Sequence, residues 1–404
     1  MMMRIAYFSP LSPVRSGVAD YSEELLPHLA QRAEIDLFVD TDAIARPTRV
    51  NGLDAFDYHL LDDLATTRHY DICLYHMGNS PHHEYIYRTL LRRPGVTVLH
   101  EAVIHNFIAM RTLRRGNVGG YVREMGYAYG REGIQTARRV LFGDQLPSIA
   151  AEYPLNARVI DSSLGVIVHS EFVRQQVIAH SPQTQVSKIN SHSLHPPAGP
   201  SPKILRMELG IAPEQFVVAT LGFVTPTKRI DVVLRAFARL CTLHPHALYI
   251  IVGDMPPSCD VRPIIEELAL EDAVRLTGYV SMEEFSRYLS VADTCVNLRY
   301  PTTGATSASV LRAMAAGKPV IVSDVGWFSE LPDGICAKVD IGKSEEDILV
   351  AYLEFLAAHP DMRQKLGSNA RSYVEREHTI ENSAASYIEF IQQVLENLYN
   401  CKAR

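Results

Sequence analysis

Ten short apolar runs alternate with stretches of helical spacing along this 404-residue chain, and that alternation leaves few folds open. In the first half the runs are Arg4–Ser9, Ile35–Asp40, Asp71–His76, Val96–His100 and Leu164–His169. In the second half they are Val217–Gly222, Leu248–Gly253, Val274–Thr277, Thr294–Leu298 and Pro319–Ser323. Runs this short and this apolar suit strands buried on both faces, as in a parallel sheet flanked by helices. Between the halves lies Asn190–Pro202, NSHSLHPPAGPSP, whose proline, serine and glycine content reads as an interdomain linker. The expected layout is a first domain at residues 1–195, a second at 203–379, and a final helix at about 380–404 that crosses back onto the first. Ala385, Ile388, Ile391 and Val394 mark the apolar face of that helix. Ligands of doubly wound sheets bind beyond the carboxyl ends of the strands, here in the cleft expected between two facing domains.

Composition narrows the class. Hydrophobic residues are 47% and charged residues 21%, an ordinary globular balance, and the net charge of −7 argues against a nucleic-acid binder. No apolar run approaches the ~18 residues of a spanning helix. The opening MMMRIAYFSP enters a strand without the layout of a signal peptide. The cysteines are scattered with no CxxC pair, so reduced thiols in the cytoplasm are expected rather than a zinc site.

The stretch Pro301–Pro332, PTTGATSASVLRAMAAGKPVIVSDVGWFSELP, reads as loop, helix, buried strand and loop. Thr306 and Ser307 are N-cap types, Val310, Leu311 and Met314 recur at helical spacing, and Gly317 sits where the helix stops. A helix opening from a loop at a strand end offers free N–H groups and a positive dipole end to a phosphate. Gly222–Asp231, GFVTPTKRID, leaves a strand and enters a second helix, with Lys228 and Arg229 near its start. The dipole does not favour cations there, so an anionic ligand rationalises them, although a solvated surface pair is the alternative. In the first half Gly17 follows strand one and opens a helix; its lone glycine is no GxGxxG fingerprint.

Histidines 76, 82, 83, 100 and 105 cluster in the first half, with His100 at a strand's carboxyl end. A histidine so placed can hydrogen-bond a substrate or move a proton; one satisfied by backbone is the plainer alternative. No HExxH or similar spacing points to a metal, and Asp40-Thr41-Asp42 reads as an acidic loop rather than a metal-binding DxD. Arg111–Arg139 carries seven arginines against Glu124 and Glu132, with Tyr121, Tyr127 and Tyr129 interleaved. That is either a basic face for an anionic lipid surface or acceptor, or a set of solvated helix faces.

Taken together, the chain resembles the retaining glycosyltransferase family 4 of GT-B fold, also called glycosyl transferases group 1. The resemblance rests on LRAMAAGKPVIVSDVGWFSELPDG, Gly222…Lys228-Arg229, Gly253-Asp254 and Gly278-Tyr279-Val280 in the second half. In the first half it rests on SGVADYS, GNSPHHEYIY, VLHEAV and IVHSEFV. It implies an α/β GT-B fold of two facing Rossmann-like domains with a deep interdomain cleft. It further implies transfer of a hexose from a nucleotide-diphosphate sugar, UDP-linked in preference to GDP-linked, to a saccharide or lipid-linked acceptor, with no metal or other cofactor.

By the same resemblance His100, Lys228 and Arg229 carry catalysis. The donor meets Gly17, Gly222, Gly253, Tyr279, Val280, Gly304, Ala305, Thr306, Ser307 and Val310. The acceptor meets Asn79, His82, His83 and His105. The family's Glu-x7-Glu pair falls on Gly304 and Arg312, and Ala305 stands where some relatives keep one glutamate a residue later. A carboxylate there holds sugar hydroxyls; alanine does not. Two other classes therefore accompany the transferase: a GT-B sugar-nucleotide epimerase and a non-catalytic binder of nucleotide sugar.

Overall fold

The computed structural model describes residues 2–41, 49–143, 146–194 and 199–402. It divides into two compact units, one of residues 1–192, 303–306 and 380–404, the other of 193–302 and 307–379. The tetrapeptide Thr303–Thr306 thus groups with the first unit, where the sequence had placed it in the second domain.

The first unit is built on eight strands: β1 (Arg4–Phe8), β2 (Glu34–Val39), β3 (Arg49–Val50), β4 (Leu53–Asp57), β5 (Ile72–Met77), β6 (Val96–Leu99), β7 (Gly165–Val168) and β8 (Val186–Lys188). Their order is β3-β4-β2-β1-β5-β6-β7-β8, parallel throughout except for the β3–β4 hairpin. Alternate side chains of β1 serve two cores. Ile5 and Tyr7 pack with Leu25 and Leu29 of the Gly17–Leu29 helix and with Tyr387, Ile391 and Val394 of the final helix, Ile380–Lys402. Ala6 and Phe8 pack on the other face with Ile86, Leu90 and Tyr121. The final helix buries Ile380, Ala384, Tyr387, Ile388, Ile391 and Val394, so its apolar stripe takes in Ala384 where the sequence pattern had Ala385. The Tyr21 and Tyr387 hydroxyls, 2.8 Å apart, fasten it to the Gly17–Leu29 helix.

The second unit has six parallel strands: β9 (Val217–Leu221), β10 (Leu248–Val252), β11 (Val274–Gly278), β12 (Thr294–Asn297), β13 (Val320–Ser323) and β14 (Ala337–Val339). Their order is β11-β10-β9-β12-β13-β14. All ten expected strands are present, with ends shifted by a residue. Strands β3, β4, β8 and β14 were not anticipated. The β3–β4 turn had a signal: Asn51-Gly52 adopts φ of 50° and 79°, the pattern of a type I′ hairpin. The short β8 and β14 carry little apolar periodicity to betray them.

Both sheets have one strand whose neighbours lead the chain off in opposite directions. In the first, β1 lies between β2 and β5; in the second, β9 lies between β10 and β12. The loops leaving such a pair diverge and open a crevice at the carboxyl ends of the strands.

Candidate functional site

In the second unit the crevice between β9 and β12 holds a buried cation. Lys228 follows β9 on a short 3-10 turn, is 5% exposed, and donates from Nζ to the Leu221 carbonyl at 2.7 Å. No carboxylate pairs with it among the described residues. Burial, and next the Arg299 guanidinium, hold its pKa well below the lysine range. Gly222 adopts φ +89°; a Cβ there would lie 3.2 Å from Lys228 Nζ and 3.9 Å from Ser309 Oγ, so ammonium and hydroxyl flank the same backbone. Ser309 belongs to the Ala308–Ala315 helix, whose N-cap is Ser307, with its hydroxyl accepting from the Val310 N–H. Asn297, the last residue of β12, donates from Nδ2 to Ser309 Oγ at 3.2 Å, and the Ser307 and Ser309 hydroxyls are 3.2 Å apart. A cation, two hydroxyls and a helix start converge here, which is the chemistry of a phosphate cradle.

The remaining glycines bring the loops together. Gly253 directly follows β10 at φ +145°, and a Cβ on it would stand 2.4 Å from the Gly222 carbonyl oxygen, so only glycine lets these two loops touch. The Gly253 N–H donates to Gly278 O at 3.1 Å, which carries the exposed Tyr279 and the half-buried Val280 to the same sheet edge. Val310 is buried and packs in the core beneath the helix start rather than facing a ligand.

Arg229 behaves otherwise than the sequence suggested. It takes the left-handed conformation, φ +51°, and donates from Nε and Nη2 to the buried Glu345 carboxylate at 2.7 and 2.5 Å. Two of its five N–H donors are thereby committed within the protein. Glu345 lies more than a hundred residues away in sequence, and no local pattern exposes that pairing.

The first unit gathers a second cluster. His76 lies near the end of β5, His100 just past β6 and His169 just past β7, so three adjacent strands each present a histidine at the carboxyl edge. His76 Nδ1 and His100 Nε2 are 2.9 Å apart. Tyr21 stacks among them, with its ring centroid 4.9 Å from His100, 5.3 Å from His169 and 4.3 Å from His192. Burial first, then the neighbouring imidazoles, push the pKa of His76 and of His100 well below the histidine range, so both rings are neutral at pH 7. The sequence singled out His76 and His100 but missed His169, which also directly follows an apolar run. At the β1 crevice the Gly17 helix start is capped by Ser16 Oγ, and a Cβ on Gly17 would meet nothing within 4 Å.

One acceptor assignment, His105, is corrected, and Asn79 is committed through its side-chain oxygen alone. His105 is fully buried, with Nδ1 donating to the Tyr153 carbonyl at 2.6 Å and Nε2 accepting from the Tyr121 hydroxyl at 2.8 Å, so no ring nitrogen remains for a ligand. Asn79 accepts from the Phe107 N–H at 2.8 Å through Oδ1 and caps the His105–Arg111 helix. His83 is buried, its Nδ1 3.1 Å from the Ser80 carbonyl and its pKa lowered to about 4 by burial. His82 is exposed. Asp42 of the acidic loop lies outside the described residues.

Gly304 explains one departure from the family pattern. It has φ +80°, and a Cβ would stand 2.7 Å from Val173 Cγ2 and 3.1 Å from the Ala102 Cβ. The preceding Thr303 carbonyl accepts from the Ala102 and Val103 N–H groups at 2.8 and 3.1 Å, which pins the backbone. A glutamate at 304 has no room, so the missing carboxylate belongs to the packing of this segment. Ala305 is half-buried, and the Thr306 hydroxyl makes no hydrogen bond among the described residues.

Residues 203–373 match the family model described as Glycosyl transferases group 1. The chain is similar to the alpha-monoglucosyldiacylglycerol synthase of Streptococcus pneumoniae, 29% identical over 40% of this chain and 36% of the relative. It is also similar to the lipopolysaccharide 1,2-N-acetylglucosaminetransferase of Salmonella typhimurium, 25% identical over 57% of this chain and 62% of the relative. The matches thus span 36% and 62% of the length of these relatives, less than two thirds in both cases. Among solved structures, sucrose-phosphate synthase from Thermosynechococcus elongatus superposes with a TM-score of 0.70 at 17% identity, covering 98% of this chain and all of that one. Anabaena Alr3699/HepE in complex with UDP-glucose superposes with a TM-score of 0.64 at 18% identity, covering 98% of this chain and 100% of that one. At such identities the likeness is one of fold, and that fold is GT-B.

Proposed function

We propose that this chain, whose residues 203–373 match the glycosyl transferases group 1 and whose fold is GT-B, transfers a sugar from a nucleotide-diphosphate donor to a glycan or lipid-linked acceptor, with retention at the anomeric carbon. The observation that carries this reading is the buried Lys228 ammonium without a carboxylate partner, beside Gly222 and the Ser307-capped helix. An isolated buried cation is costly unless an anion completes it, and a departing diphosphate is such an anion. In the reaction the sugar C1–oxygen bond to the diphosphate breaks, and the acceptor oxygen bonds to C1 on the same face. The acceptor's proton passes to a departing phosphate oxygen. Lys228 and the helix start stabilise the growing negative charge, so this reading requires no metal. A uridine nucleotide is favoured by the UDP-glucose complex of the Anabaena neighbour.

A thermal-shift panel of UDP-, GDP- and TDP-sugars tests it. A ligand at a hundred times its Kd stabilises by about 2.7 kcal/mol, a rise of roughly 5–10 °C in a unit of this size. No shift with any of them would sink the donor assignment. A second reading, a non-catalytic binder of nucleotide sugar, is favoured by Gly304, Ala305 and Arg312 at positions that carry carboxylates in the family. It predicts the same thermal shift with neither transfer nor hydrolysis of the donor.

The acceptor side of the proposal includes an anionic lipid surface. The Val118–Leu141 segment breaks at Gly130 (φ 58°, ψ −135°), and on the helix that follows the break Arg131, Ile134, Arg138 and Leu141 are all exposed, at spacings of three or four residues. Phe142 follows, 90% exposed. Arginines interleaved with apolar side chains on one face are what an interfacial helix presents to acidic headgroups. Each cation near such a surface contributes about 1 kcal/mol, so the double variant Arg131→Glu, Arg138→Glu should weaken binding to phosphatidylglycerol vesicles more than ~10-fold. Equal sedimentation of wild type and variant, or equal binding to neutral vesicles, would remove the lipid surface from the proposal.

A further inference from the structure

We propose that His76 is a positioning residue for His100: it donates its Nδ1–H to His100 Nε2 and so fixes His100 as the neutral tautomer with its proton on Nδ1. This rests on the reading above in one respect, that the ligand offered to His100 is the donor sugar.

The argument is one of proton accounting between two rings. His76 Nδ1 and His100 Nε2 are 2.9 Å apart, so one proton lies between them. Two neutral arrangements satisfy that. In one, His76 carries its proton on Nδ1 and leaves a bare lone pair on Nε2. In the other, His100 donates and His76 must carry its proton on Nε2. His76 is 0% exposed, and its Nε2 has no hydrogen-bond partner. The second arrangement therefore buries an N–H with no acceptor, whereas the first buries only an unshared lone pair. Orphaned buried N–H groups are rarer than under-satisfied acceptors.

The charged alternative fails on the surroundings. The rings within reach of this pair are those of Tyr7, Tyr21, Tyr387, His83, His169 and His192. None is anionic at neutral pH, and no carboxylate contributes to the titration of either ring. The Glu24 carboxylate lies 3.3 Å from His192 Nε2, and that of Glu101 accepts from the Asn79 N–H; neither is bonded to the pair. Two neutral imidazoles with one shared proton remain.

The consequence lies at the other nitrogen. With Nε2 occupied as an acceptor, His100 has its own proton on Nδ1. His100 is half-buried, where His76 is sealed, and its Nδ1 makes no hydrogen bond among the described residues. His100 then presents a hydrogen-bond donor to a sugar oxygen. Without His76 the ring is free to place its proton on Nε2 and present a lone pair to that oxygen instead. A histidine at this strand end thus acquires a defined polarity from the histidine on the neighbouring strand.

Nitrogen-15 labelling of histidine, with two-bond correlation spectra of the ring protons, reads the tautomer directly. The His100 signals are assigned by their loss in His100→Gln. In wild type they should show a protonated Nδ1 and a bare Nε2. His76→Leu should shift His100 toward the Nε2-protonated form, and His76→Asn, whose amide places an N–H near the position of Nδ1, should restore the original pattern. A wild-type spectrum with His100 protonated on Nε2 overturns the proposal without reference to any variant's stability. A His76→Leu spectrum unchanged at His100 overturns it too. For a nucleotide sugar that binds, kcat/KM should fall ~10-fold in His76→Leu, the Kd for the bare nucleotide should stay unchanged, and His76→Asn should recover most of the loss. The predicted tautomer together with no binding of any nucleotide sugar would refute the donor reading and leave the role of His76 standing.

Discussion

Replacing Lys228 with methionine is expected to lower glycosyl transfer at least ~100-fold, the loss that follows removal of one charge-stabilising donor from a transition state. The same change should raise the unfolding midpoint of the ligand-free protein. The two effects have one cause. Lys228 is 5% exposed, its ammonium makes one hydrogen bond to the Leu221 carbonyl, and no carboxylate compensates it. Its folded-state pKa lies below the ordinary lysine value because burial, and then Arg299, disfavour the charged form. The unfolded chain therefore holds that proton more readily than the folded one, and at neutral pH the site carries a standing cost to folding. Methionine keeps the length and apolar stem, removes the charge, and leaves the Leu221 carbonyl without its partner. The net gain expected is about 1 kcal/mol, since an unpaired buried charge costs more than one lost hydrogen bond. Unfolding midpoints without ligand and single-turnover rates with the accepted donor check both halves. Lower stability with intact turnover would mean that Lys228 is a structural lysine and that the diphosphate sits elsewhere.

Much of this was legible in the chain because parallel strands buried on both faces write themselves as uninterrupted apolar runs. Val217-Val-Ala-Thr-Leu221 and Leu248-Tyr-Ile-Ile-Val252 have almost no polar residue to obscure them. The helix cap at Ser307 was equally readable, since the side-chain chemistry of a cap is local. What stayed hidden depends on partners far apart in sequence. Arg229 looked available until Glu345 was seen to take two of its donors. His105 looked like a ligand-facing histidine until Tyr153 and Tyr121 were found on its two nitrogens. Asn79 gives no hint, by type or spacing, that it caps a helix beginning at His105. Asn297 and Ser309 join the Lys228 crevice only because β12 lies beside β9, a fact of strand order that no run of residues encodes. Gly304 is the reverse case. Its departure from the family pattern was visible at once, while the reason, a backbone pressed against Ala102 and Val173, needed coordinates.

Mild acid should destabilise the first unit steeply, and well above the pH at which carboxylates begin to protonate. His76, His83 and His105 are buried, each no more than 1% exposed, and burial lowers the pKa of all three. In each case the neutral ring is the folded form. Above a pH of about 7.5, one unit over the ordinary histidine value, neither the folded nor the unfolded chain protonates these rings appreciably, and they add little pH dependence. As pH falls below that value the unfolded chain takes up protons that the folded chain refuses, so stability drops. For His83 the window closes near its folded-state value of about 4, below which both states are protonated. Within the window each such histidine costs about 1.4 kcal/mol per pH unit. His76 and His83 acting together approach ~3 kcal/mol per unit, with His105 adding in the same direction, a large part of the 5–15 kcal/mol that holds a typical domain together. In a unit of this size that is a fall of roughly 10 °C in the unfolding midpoint between about pH 6.5 and 5.5. Exposed histidines such as His82 titrate alike in both states and contribute little to the slope. Measuring the midpoint at about pH 7.5, 6.5 and 5.5 separates the outcomes, because the lower interval should be about three times as steep as the upper one. His83→Gln should remove about a third of the lower slope, since its ring shares no hydrogen bond with the other two. A flat profile across both intervals would show that these rings are hydrated and free to charge in the folded protein. It would also take away the neutral His76–His100 pair on which the polarity of His100 depends.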